Sequence, residues 1–136
     1  MKLDTGGSPA LKVLRHAPGA TLTVRYRVTQ TWPGEPAVSG SNEYRPVIRP
    51  NYFHVIGWAM MARPKWSLAT PVAVSFRGMP EGWQFASDLE HEALTLAGVL
   101  ESVSVGGDFR VLKAGALRVA IRGAWAFSDE DFIKRL

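Results

Sequence analysis

The sequence predicts a mainly β domain, an antiparallel β-sandwich carrying one or two short helices. Three observations carry that expectation. Apolar residues recur at every second position in several short runs, the pattern of strands with one buried face. Thirteen Gly and nine Pro cut the chain into pieces too short for long helices. With 136 residues, 46% of them apolar, the chain fits one domain, residues 1–136, able to bury roughly two-thirds of its unfolded surface.

The elements follow in chain order. Leu11–Leu14 reads as a short strand, and His16-Ala17-Pro18-Gly19 supplies turn residues before Thr21–Thr29. In that second strand Leu22, Val24, Tyr26 and Val28 share the core face, while Thr23, Arg25, Arg27 and Thr29 share the wet one. The two runs are expected to form a hairpin. Trp32–Asn42, with Pro33, Gly34, Pro36 and Gly40, reads as a loop. Tyr52–Met60 and Thr70–Arg77 are two further strands, the latter with Val72, Val74 and Phe76 inward. Phe109–Leu112 and Ala116–Arg122 form a second hairpin around Lys113-Ala114-Gly115, with Leu117, Val119 and Ile121 inward and Arg118 and Arg122 outward.

Two segments break the β pattern. Within Asp88–Val103, Leu89, Ala93, Leu96, Ala97 and Leu100 recur at three- and four-residue spacing, so one short helix is expected there. At the carboxyl end Ser128 precedes Asp129, Glu130 and Asp131, a capping hydroxyl followed by carboxylates where a helix amino end favours them.

Composition excludes several function classes. Without cysteine there is no disulfide framework, no thiolate-held metal and no thiol nucleophile. The longest apolar run, Val55–Ala62, is far below the ~20 residues of a membrane-spanning helix, and no secretion signal opens the chain as given. A soluble domain is expected, with its compartment left open. The net charge of +4 permits anionic partners, but the longest Lys/Arg run is only Lys134-Arg135, so nucleic-acid binding is not expected.

Local motifs for catalysis fail at the positions that matter. His91-Glu92 starts like the zinc-peptidase H-E-x-x-H helix, yet Thr95 stands where the second imidazole must be. Ser39-Gly40-Ser41 is no nucleophile elbow, and Gly6-Gly7 and Gly106-Gly107 lack the spacing and lysine of a phosphate loop. No catalytic, cofactor-binding or metal-ligating residue is therefore assigned. Five tryptophans are many for this length. Trp58 and Trp125 alternate with apolar neighbours and read as core, whereas Trp32 and Trp66 flank proline-containing turns and read as an exposed ligand platform or domain contact. Arg25, Arg27, Arg118 and Arg122 read chiefly as solvated outer-face charges. Arg25 and Arg27 are the candidates for a domain contact, and all four would serve a nucleic-acid-binding barrel.

Several short phrases occur in one order: Tyr26 within Val24–Val28, Tyr52-Phe53 leading to Gly57, Arg63-Pro64, Met79-Pro80-Glu81-Gly82-Trp83, Gly106-Gly107-Asp108-Phe109-Arg110, and Arg122-Gly123. The series resembles the amino-terminal β-domain of the glycyl aminopeptidase-like zinc metallopeptidases, metallopeptidase family sixty-one, over roughly residues 19–136. That resemblance implies a noncatalytic domain packed against a thermolysin-like catalytic domain that follows residue 136, holds the zinc and binds the peptide substrate. It also implies that this chain alone holds no cofactor. Tyr26, Pro80, Gly82, Trp83, Gly106 and Gly107 would then be structural, with Pro80 at the first corner of a turn that Gly82 closes and Trp83 folded back over the sheet. A free-standing carbohydrate- or peptide-binding β-sandwich is the alternative.

Overall fold

The computed structural model describes residues 2–5, 11–33, 45–90 and 94–136. The mainly β, antiparallel class expected from the sequence is the one observed. Strands β1 (Lys2–Thr5) and β2 (Lys12–Arg15) pair with each other. Strands β3 (Val47–Ile48), β4 (Tyr52–Ile56), β5 (Gln84–Ser87) and β6 (Val103–Gly107) form a four-stranded sheet in the order β3-β4-β6-β5. Strands β7 (Arg110–Ala114) and β8 (Leu117–Ile121) make a hairpin whose turn holds Gly115 at φ 59°. Among the described residues there are three short α-helices: α1 (Gly57–Met60), α2 (Leu96–Glu101) and α3 (Asp129–Ile133).

The core lies where α1 and α2 meet the four-stranded sheet. Its buried apolar residues are Val47, Val55, Leu96, Val99, Leu100 and Ile121, of which Leu100 is fully buried at 0% exposure. Gly57 lets the two helices approach, because a Cβ there would overlap Val99 O and lie 2.7 and 2.8 Å from Leu100 O and Cα. Its N–H donates to Ser102 O at 2.9 Å, fixing the start of α1 to the end of α2. At the start of α2, Thr95 Oγ1 caps by accepting from Gly98 N–H at 3.2 Å. Asp88, just after β5, caps the start of the inner strand β6, both carboxylate oxygens accepting from Val103 N–H at 3.1 and 3.2 Å.

Several expected elements are corrected. The turn at Pro18-Gly19 forms, with Ala20 N–H donating to Ala17 O, but β2 pairs with β1 and not with Thr21–Thr29. Residues 21–29 lie in no strand, and Leu22, Val24 and Tyr26 are exposed. Tyr52–Met60 is a strand only to Ile56, since the close approach at Gly57 turns the chain into α1. Thr70–Arg77 is held by a bridge between Pro71 and Thr95 and by Val72 N–H to Leu94 O, yet Val72, Val74 and Phe76 alternate inward as their spacing requires. The helix expected within Asp88–Val103 narrows to α2, preceded by a 3-10 turn at Asp88–Glu90. The cap at Ser128 is as expected, its Oγ accepting from Asp131 N–H at 3.1 Å. Of the Trp32–Asn42 loop only Trp32 and Pro33 are described, and Gly6-Gly7, Ser39-Gly40-Ser41 and His91-Glu92 lie outside the described residues.

Candidate functional site

Four of the phrases singled out in the sequence, those holding Tyr52-Phe53, Trp83, Gly106-Gly107 and Arg122, meet at the end of the inner strand β6. Gly106 pairs with Phe53 on one side and Phe85 on the other, and a Cβ there would come 2.5 Å from the Phe53 ring. The ring fills the space a side chain would take. Gly107 follows at φ 147°, where a Cβ would strike Asn51 O and Tyr52 at 2.5 Å, so only glycine suits it. Trp83 packs at a tilt near the same ring, with centroids 6.2 Å apart.

The turn that presents Trp83 differs in detail from expectation. Pro80 supplies the carbonyl that accepts Trp83 N–H at 3.2 Å, so Glu81 and Gly82 are the corners and Gly82 takes φ 79°. Pro80 therefore leads into the turn instead of forming its first corner.

Beyond Gly107, Asp108 accepts from Arg122 Nε at 2.7 Å and from Asn51 Nδ2 at 3.3 Å. The Arg122 hydrogen bond holds the Asp108 carboxyl below the usual aspartate range. The guanidinium also lies over the Tyr52 ring, 4.2 Å from its centroid, and Phe109 meets that ring edge-on. Arg110 donates from Nε to both oxygens of Asp129 at 2.8 Å and from Nη1 to Gly123 O, which anchors α3 to β7. These ion pairs join residues 14 and 19 positions apart, a relation no local motif reveals. Arg122, expected on a solvated face, is engaged in this cluster, and Arg118 is half-buried.

The tryptophans are redistributed. Trp66 is exposed as expected, at 65%. Trp32 is half-buried beneath Arg45, 5.5 Å from its ring, and its carbonyl accepts from Gln30. No contact among the described residues brings Trp32 and Trp66 together. Trp58 and Trp125, expected in the core, are 47% and 54% exposed. The strand in which Trp58 would have pointed inward stops at Ile56, and Trp125 follows β8 in a loop, where its Nε1 donates to Arg122 O and its ring packs edge-on against Phe127.

Trp58 stands in α1, close in sequence to Met61 and Ala62. Arg63 lies over its ring at 5.0 Å, and Tyr26 Oη accepts from Ala62 N–H at 3.0 Å while facing Met61 Sδ at 4.0 Å. Tyr26 therefore ties residues 21–29 to the segment after α1, with Arg25 and Arg27 exposed on either side. Exposed Trp66 and Leu68 continue that segment.

Two concavities indent the surface of the described residues. One, of about 540 Å³, lies beside the Pro18-Gly19 turn and is lined by Arg15, His16 and Leu22 among others. The other, of about 290 Å³, runs between β5–β6 and β8, where Ala86, Val105 and Ala120 form the walls and Ser87, Asp88 and Arg118 the polar rim. Its rim groups serve the fold: Ser87 Oγ lies 3.0 Å from both Val103 O and Ser104 Oγ, and Asp88 holds Val103. Among the described residues no three His, Asp or Glu side chains converge as metal ligands, and no helix is long and apolar enough to cross a membrane. His16 Nδ1 sits 2.8 Å from Ala17 O, and His54 is half-buried in β4. Comparison with protein-family models, with curated proteins and with solved structures returns no match.

Proposed function

We propose that this chain is a noncatalytic β-domain of a zinc aminopeptidase-like protein, which packs against a thermolysin-like catalytic domain and helps to shape its substrate cleft. One observation carries the reading: the residues of the ordered phrases hold the fold together. Tyr26 fastens residue 62, Gly82 permits the turn under Trp83, Gly106 and Gly107 admit Phe53 and Tyr52, and Asp108 and Arg110 close on Arg122 and Asp129. Charged groups consumed in this way steady a scaffold and are ill placed to exchange protons with a substrate. Under this reading zinc and the peptide substrate belong to the partner domain.

Two measurements test it. The reading frame downstream of the Leu136 codon should encode H-E-x-x-H at the start of a helix, and a frame without it overturns the reading. The isolated chain should show neither peptide hydrolysis nor stoichiometric zinc by elemental analysis, and either result in the positive removes the scaffold role. The exposure of Trp58 and Trp66 favours a second reading, a carbohydrate- or peptide-binding module. A tryptophan fluorescence titration against glycans separates the two, since a saturable response supports the module.

A further inference from the structure

The groove between β5–β6 and β8 lies where two sheet faces stop short of each other. Val103 and Val105, two residues apart on β6, share one face, and Ala86 joins them as the register partner of Val105. On the other wall Arg118 and Ala120 alternate along one face of β8, with Ala116 two positions earlier in the turn. Ala86, Ala116 and Ala120 each end at Cβ, so the two rows leave about 290 Å³ between them. That volume is close to the lower limit of roughly 300–1,000 Å³ usual for small-ligand sites, so the occupant must be small.

The polar rim is uneven in what it can offer. Both oxygens of Asp88 are turned to Val103 N–H, and Ser87 Oγ is occupied by Val103 O and Ser104 Oγ. Arg118 is half-buried with its Nε shut off from solvent, and its engagement within the protein holds the guanidinium in place. Five N–H donors let that group serve a further acceptor beside its present contact. Lys113 stands directly opposite Arg118 in the β7–β8 ladder, so two cations share the face of the hairpin that lines the groove. Like charges so placed repel, and an anion beside both turns the repulsion into attraction.

We infer that this groove binds a small carboxylate carrying an apolar body, with the body between the two rows of valine and alanine and the carboxylate on Arg118 beside Lys113. The apolar walls select the body, and the paired cations select the charge. A bare phosphate meets only the second demand and an alcohol only the first. This site goes beyond the scaffold reading, since a domain packed against a partner and a free-standing one would both have it.

The test is a titration of the whole isotope-labelled chain with hexanoate, hexanol, hexylammonium and inorganic phosphate, followed by amide chemical shifts. Hexanoate should bind saturably and roughly tenfold more tightly than the other three, with shifts centred on Ala86, Val105 and Ala120 and an affinity that falls as salt rises. Arg118→Gln should weaken it about tenfold and Lys113→Gln about threefold, whereas Lys12→Gln, on β2, should leave it unchanged. Ala120→Leu should abolish binding by filling the groove, and Ala116→Leu, in the same row, gives that readout if Ala120→Leu does not melt cooperatively. A melting curve for each variant confirms folding. The absence of saturable shifts, shifts centred elsewhere, any of the other three compounds binding as tightly as hexanoate, or undiminished binding in Arg118→Gln or in a folded leucine variant each overturns the inference. None of these results bears on the reading frame and zinc tests, which alone decide the scaffold role.

Discussion

Replacing Gly57 by alanine adds one methyl group at the most crowded of the described glycines. The new Cβ would overlap Val99 O and lie 2.7 Å from Leu100 O and 2.8 Å from Leu100 Cα. All three are backbone atoms of α2, so no side chain can swing aside, and α1 must separate from the helix that carries the fully buried Leu100. Overpacking of this kind costs about 3 kcal/mol, the upper part of its usual range, because relief requires a backbone shift. At ~2.1 cal/mol/K of unfolding entropy per residue, a domain of this length loses about 3.5 °C of Tm per kcal/mol, so Gly57→Ala should melt about 10 °C lower. Gly98→Ala is the matched control. Its Cβ would meet only Thr95 Oγ1, at 3.7 Å, and alanine in a helix is worth roughly 0.5–1 kcal/mol over glycine, a gain of about 2–3 °C. Circular dichroism melts of both variants are the assay. Equal Tm values for Gly57→Ala and wild type would refute the close packing of α1 on α2.

Three further outcomes are expected. Thr95→Ala removes the cap on Gly98 N–H and should cost about 1 kcal/mol in urea denaturation, while Thr95→Ser should retain most of it. Because Arg122 lowers the folded-state pKa of Asp108, the stability this pair adds is present above the ordinary value of 3.8 and lost as pH falls through the lower folded value. The Tm difference between wild type and Asp108→Asn should therefore be constant near neutrality and shrink on acidification below about pH 4, and a difference that grows there would contradict the assignment. For Arg110 and Asp129, both about one-third exposed, a double-mutant cycle should return a coupling of about 1 kcal/mol, and hydrogen exchange in α3 should quicken in either single variant.

What the sequence disclosed depended on how local each relation is. The β7–β8 hairpin was legible because its strands, its turn and Gly115 lie within a dozen residues, and Ser128 marked α3 because a cap acts on its own first turn. Strand β6 was hidden: Val103 and Val105 alternate for only three positions before two glycines erase the pattern, and the helical spacing before them drew the segment into α2. The run Thr21–Thr29 shows the opposite failure, since alternation specifies which side chains share a face and says nothing of whether another strand arrives to pair. Among the candidate site residues, Gly82 and Gly107 hold positive φ, Gly106 faces the Phe53 ring and Trp83 packs near that ring. Trp58 is exposed because β4 ends at Ile56, whereas Trp32 is half-buried beneath Arg45, a partner thirteen positions away. The Asp108–Arg122 and Arg110–Asp129 partnerships arise only when distant segments are folded together.

The empty position at Gly106 has a consequence for how this molecule can change. Phe53 lies across the gap, so neither residue can vary alone: alanine at 106 evicts the aromatic group, and a smaller residue at 53 uncovers bare main chain in the middle of the sheet. A workable replacement must alter both at once, enlarging one as it shrinks the other. Positions 53 and 106 are thus coupled through packing, although 52 residues separate them in the chain.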